Sequence, residues 1–229
     1  MRTAKITALA AAVMMMTVST GNEAIAQQIG VVGLFKIDPG AATNVDQQKI
    51  SDLGCQTRRA GAIVGEKGDI DVKRPNHFIF LACEHSLLSA AAKREVLSGL
   101  IPEGEVLAFL EGALTDNPDN DSSSAATDRE YILKISHYNN RDTDRREQDL
   151  ERIMQAVEPD PDRFIDESFI AVNRSMGMPT PDEVVILFYE SPERADRFRK
   201  NNRDILRDVG AFNKAHLNDF IYYSGKIVR

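Results

Sequence analysis

The chain has 229 residues, 28 of them Lys or Arg and 35 Asp or Glu, for a formal net charge of −7. That acidic balance argues against nucleic acid or an anionic membrane surface as a partner. A hydrophobic content of 42 % is that of a globular chain rather than a disordered one.

The first 26 residues read as a cleaved leader. Arg2 and Lys5 form a basic start, an apolar run follows, and Ala24-Ile25-Ala26 supplies a small-x-small peptidase site. The run is short of the roughly 20 residues that span a bilayer, and no cysteine follows Ala26 that would mark a lipoprotein. The expected location is the periplasm or the exterior, with no membrane attachment after cleavage.

Beyond the leader, residues 31–37 read as a strand ended by Asp38-Pro39-Gly40, and Asn44 stands where a helix to Leu53 would be capped. Residues 60–65 and 77–83 read as two further strands. Ser86 is placed to cap a helix over 87–100, Gly104 breaks it, and 106–114 form a fourth strand. The order then recurs: a strand at 131–138, a charged helix at 143–157 stopped by Pro159 and Pro161, and a strand at 169–173. A strand at 184–189, a long helix from Pro192 to about Val209 and a closing strand at 219–228 complete it. The overlay that sets Glu84 on Glu190 superposes the two third strands.

Each half is therefore βαββαβ. The predicted fold class is α+β: two ferredoxin-like βαββαβ repeats, 30–115 and 130–229, packed sheet to sheet as an intramolecular α+β barrel. A monomer built as a pseudo-dimer is the implied state. Residues 116–129 are rich in Asp, Asn and Ser and read as a polar linker. Asp119, Asp121, Ser123 and Glu130 fall at calcium-loop positions, but Ser124 stands where such a loop needs glycine.

The segment VVGLFKIDPGAATNVDQQKISDL (31–53) resembles the opening of stress-responsive barrel proteins. VVILFYESPERADRFRKN (184–201) is similar to the third strand and second helix common across the dimeric α+β barrel superfamily. That superfamily also holds antibiotic-biosynthesis and haem-degrading monooxygenases and EthD-like proteins. The resemblance implies a barrel with a ligand space between two sheets. Haem-degrading members use an Asn, a Trp and a His at the pocket; this chain has no Trp, so that activity is not implied. No cofactor and no metal site are called for by any motif.

In the βαββαβ path Cys55 and Cys83 fall at the same edge of the sheet. An even cysteine count in an exported protein favours a disulfide between them; two free thiols or a functional thiol pair are the alternatives. His77, His85, His137 and His216 are scattered. His137, near a strand end, is the weak catalytic candidate, since an imidazole accepts protons near neutral pH. Lys134, Tyr138 and Tyr222 are polar positions on apolar strands, and Glu111 interrupts another. If they point between the sheets, they are the natural polar contacts of a small-molecule ligand. Leu34, Phe35, Phe109 and Phe188 would supply the wall. The mouth would open where the first strands finish, among the loops 38–43, 73–77, 139–142 and 176–181.

Two functions remain open on this sequence. One is an exported small-molecule-binding or stress-related barrel protein without a catalytic motif. The other is a cofactor-independent, monooxygenase-like enzyme acting on a small aromatic or apolar substrate. The leader is directly testable: protein recovered from the exported fraction should have the intact mass of a chain beginning at Gln27, and a full-length mass there rejects the cleavage.

Overall fold

A computed structural model of the chain describes residues 28–39, 44–70, 73–88, 97, 99–117 and 128–227. Eight strands lie among these residues: β1 (Ile29–Ile37), β2 (Cys55–Gly68), β3 (His77–Cys83), β4 (Gly104–Asp116), β5 (Glu130–Tyr138), β6 (Ile165–Met176), β7 (Glu183–Tyr189) and β8 (Leu217–Ile227). The helices are α1 (Gln47–Asp52), α2 (Thr143–Val157), α3 (Pro192–Asn201) and α4 (Arg203–His216). The leader, most of the polar linker with its calcium-loop positions, and most of the helix expected over 87–100 lie outside the described residues.

All strand pairings are antiparallel, and the order β1-β3-β2-β8-β5-β7-β6-β4 closes on itself because β4 pairs with both β1 and β6. The two facing sheets expected from the sequence are thus parts of one continuous sheet, joined by β2 against β8 and by β4 against β6. Ladder hydrogen bonds cross both junctions, so no strand edge is left unpaired. The first four strands run in the order β4-β1-β3-β2 and the last four in the order β8-β5-β7-β6, the same path traced twice. Phe80 of β3 and Ile186 of β7 both face the interior.

Side chains alternate across a strand, which divides the apolar residues into three sets. Val32, Leu34, Phe78, Leu133, Ile186 and Phe188 belong to the interior cluster, and every one is essentially closed to solvent. Burying such a side chain contributes about 1.5–3 kcal/mol. Phe35, Ile37, Ile50, Ile79 and Phe109 pack on the outer face of the first half. Ile153, Val157, Ala195, Phe198 and Phe212 pack the helices onto the second.

Three elements depart from their expected bounds for local reasons. The cap of α1 is Asp46, whose carboxylate accepts from the Lys49 amide, not Asn44. Gly54, at φ +69°, lets the chain turn directly into β2. The long helix expected from Pro192 is two helices, because Asn202 turns its side chain to the Asp160 carboxylate at 2.6 Å and to the Phe198 carbonyl at 3.1 Å. An asparagine that competes for backbone partners ends one helix and begins the next. Finally, β2 starts at Cys55 rather than Ala60 and β6 at Ile165 rather than Phe169. The polar residues in these extensions hide strands whose ladders continue through them.

Cys55 and Cys83 stand directly opposite each other on β2 and β3, with Cα atoms 4.0 Å apart, and are joined by a disulfide. Among the described residues no helix is long and apolar enough to cross a membrane.

Two stability measurements follow. The bond closes a loop of 28 residues, so replacing both cysteines by serine should cost about 3–4 kcal/mol in urea unfolding; the unreduced parent should show no free thiol when denatured. Asp166, at the start of β6, has its carboxyl pushed up to about 6 by burial, against the opposing pull of Arg163. Its folded value exceeds the ordinary 3.8, so the penalty for ionising it in place is absent below 3.8, grows up to about 6 and is constant above. Asp166→Asn should therefore stabilise by about 1–3 kcal/mol at pH 7 and have no effect near pH 3; equal effects at both pH values would contradict this.

Candidate functional site at the upper mouth of the barrel

The strands β1, β2, β5 and β6 run to one rim, called upper here, and β3, β4, β7 and β8 start from it. The loops 73–77, 139–142 and 176–181 lie at this rim. Asn76 ties two of its elements together, its amide group accepting from the Ile37 amide at 2.8 Å and donating to the Ile37 carbonyl at 2.7 Å. The stretch 40–43 lies outside the described residues.

The end of β5 brings polar side chains to both faces. Lys134, Ser136 and Tyr138 point outward, beneath the helices; His137 points inward. Lys134 donates to Glu183 at 2.8 Å, and Tyr138 donates its hydroxyl to the other oxygen of the same carboxylate. The Lys134 ammonium also lies 5.7 Å from the centre of the Phe212 ring on α4. The Arg146 guanidinium of α2 lies 3.9 Å from the centre of the Tyr138 ring. Burial, and then the Glu183 charge, hold the Tyr138 phenol well above the usual phenol range. Tyr222, opposite Lys134 in the ladder, accepts from the Asn213 side chain of α4 at 3.1 Å.

This corrects the expected orientation of all three polar positions. Lys134, Tyr138 and Tyr222 lie on the helix side of the sheet and not between two sheets. The expected apolar wall divides the same way: Leu34 and Phe188 are interior, whereas Phe35 and Phe109 pack edge to face on the outer side, 5.5 Å apart. Glu111 is also outward, accepting from Ser86 and from the Leu88 amide. His216 is buried on α4 and hydrogen-bonds Asp149 of α2 at 2.9 Å.

On the inner face, His137 pairs through Nδ1 with the Asp219 carboxylate of β8, while its Nε2 is buried without a hydrogen-bond partner. Asp219, Ile221 and Tyr223 alternate along the interior face of β8. Opposite them, Gly68 pairs with Ile221 and Glu66 with Tyr223. Here the mouth keeps an open cleft of about 380 Å³, lined by Glu66, Lys67, Gly68, Asp69, Ile70, Arg74 and Ile221. Glu66 is paired with Arg74 at 2.9 Å, and that arginine is 85 % exposed. The Tyr223 hydroxyl is fully buried without a partner; burial, and then the Glu66 charge, oppose its ionisation.

The lower end is plugged by charges that sequence reading missed. Arg59 of β2 reaches into the barrel, donates to the Tyr131 hydroxyl at 2.8 Å and meets Glu167 of β6 at 2.5 Å. Beside it the Arg129 guanidinium lies 3.9 Å from the centre of the Phe188 ring. The available signal was Arg59 at an inward position of a strand, but only the extended register of β2 reveals that position as inward. Among the described residues no group of three or more His, Cys, Asp or Glu is arranged to hold a metal ion.

No protein-family model matches this chain, and no curated protein sequence matches it. Solved structures do. A mutant chlorite dismutase from Candidatus Nitrospira defluvii aligns with a TM-score of 0.53 and 11 % identity, over 88 % of this chain and 91 % of that one. An anthrone oxidase-like protein aligns with a TM-score of 0.50 and 8 % identity, over 89 % of this chain and 92 % of that one. At such identities the likeness concerns the fold alone.

Proposed function

We propose that this chain is an exported, non-catalytic α+β barrel protein that binds a small molecule at the upper mouth. On this reading it is a tandem fusion of ferredoxin-like repeats, 30–115 and 130–229, acting as a monomeric pseudo-dimer. The leader-like start and the disulfide support an oxidising, extracytoplasmic setting. The observation that carries the binding reading is the contrast along the barrel axis. The middle is filled with apolar side chains and the lower end is closed by the Arg59–Glu167 pair, while the upper mouth keeps an open, polar cleft. Lys134, Tyr138 and Tyr222 then hold α2 and α4 against the sheet and are not the ligand's first contacts.

One observation favours a second reading, a cofactor-independent, monooxygenase-like enzyme on a small aromatic or apolar substrate. The Asp219 carboxylate orients His137 so that Nε2 is left without a partner, which is how a general base is held. The likeness to an anthrone oxidase-like protein is compatible with this reading and adds only the fold.

The test is a ligand screen on the oxidised mature protein, read by backbone amide exchange. A ligand of the mouth should slow exchange at 66–70 and at Ile221; protection confined to the helix layer would overturn the assignment. Lys134→Met, which leaves Glu183 buried without its cation, should cost about 3–5 kcal/mol of stability yet leave ligand affinity unchanged. For the enzymatic reading, oxygen consumption with aromatic substrates should disappear in His137→Ala and fall in Asp219→Asn. Consumption that is indifferent to both variants would exclude His137 as the base.

A further inference from the structure

We infer that the ligand of the upper mouth is a small organic cation, a primary ammonium on a short apolar body, which takes the place of Arg74 on Glu66. The inference rests on the mouth-binding reading and specifies its chemistry. Glu66 stands on the interior face of β2, opposite Tyr223 in the ladder. Its partner Arg74 comes from the loop after β2, and at 85 % exposure that arginine is held mainly by this one contact. An exposed ion pair of this kind stabilises little, so a competing cation displaces it at small cost.

Beneath Glu66 the Tyr223 hydroxyl is completely buried and unpartnered. That hydroxyl belongs to the packed interior and is not part of the cleft lining. The Glu66 carboxylate therefore supplies the hydrogen-bond acceptors for a group that carries only donors. Ile70 and Ile221 line the same cleft and would lie against the alkyl part of the ligand. The neighbouring acid, Asp69, is already engaged: its carboxylate accepts from the Phe220 amide at 2.9 Å. Lys67 shares the lining but, paired with Tyr222, belongs to the outward-facing set. The inward-facing carboxylates at the mouth are therefore those of Glu66, paired with Arg74, and Asp219, paired with His137. An anionic ligand would have to approach those carboxylates.

The experiment compares n-butylammonium, butyrate and n-butanol, three probes of similar size and different charge, by NMR titration of the oxidised mature protein. Butylammonium should shift the amides of 66–70 and of Ile221 with a dissociation constant on the order of millimolar, as fits a probe of so few atoms. Glu66→Gln should weaken it about ten-fold and Tyr223→Phe should leave it unchanged, whereas Arg74→Ala should tighten it by removing the internal competitor. Weaker binding in Arg74→Ala, equal binding of butyrate, or unchanged binding in Glu66→Gln overturns the inference. Retained amide dispersion in each variant establishes that it is folded. If another compound from the wider screen protects 66–70 while butylammonium does not, the cation assignment falls and the mouth remains the site. If no compound protects it, the mouth reading itself falls.

Discussion

Closure of the sheet is the constraint on which the rest of this structure depends. Once β4 pairs with both β1 and β6, the eight strands enclose one interior with no edge through which water can reach it. That interior must then be filled, and Val32, Leu34, Phe78, Leu133, Ile186 and Phe188 fill it. Among the described residues that interior is occupied by apolar side chains along its middle. Polar chemistry is displaced to the two ends and to the outer face, where the helices cover it.

The two ends have met this demand differently. At the lower end Arg59 and Glu167 are both nearly closed to solvent and in direct contact, with Tyr131 satisfying a third donor. Such a pair costs desolvation that its attraction only partly returns, but it joins β2 of the first half to β6 of the second across the barrel. At the upper end the groups are less committed. His137 keeps one ring nitrogen unmatched, Tyr223 keeps its hydroxyl unmatched, and Glu66 is held by an arginine that is mostly in water.

The halves also differ outside the barrel. The described outer face of the first half is mainly an apolar layer, tied by the Cys55–Cys83 bond near its lower edge. The second half sets Lys134, Ser136, Tyr138 and Glu183 beneath α2 and α4. Glu183 answers both Lys134 and Tyr138, so the cluster is nearly self-sufficient. Its effect is to fix the end of β5, and with it the inward His137, against the helices.

The amino-acid sequence by itself indicated the order of the described strands and the α+β class, and it favoured the pairing of Cys55 with Cys83 over free or functional thiols. These follow from short-range periodicity and from the path of a βαββαβ unit, which places strand ends without knowledge of any contact. It also singled out Lys134, Tyr138 and Tyr222 as polar positions on apolar strands. Only the tertiary structure decided which face they occupy, because period-two alternation separates two faces without saying which is inside. Bulges add to the ambiguity: the register shift between Ile63 and Gly65 must be known before Glu66 can be set opposite Tyr223. The partners of His137 and Arg59, Asp219 and Glu167, lie 82 and 108 residues away along the chain. Contacts at that separation leave no local pattern: the first needs β5 paired with β8, and the second needs the two halves joined into one closed sheet.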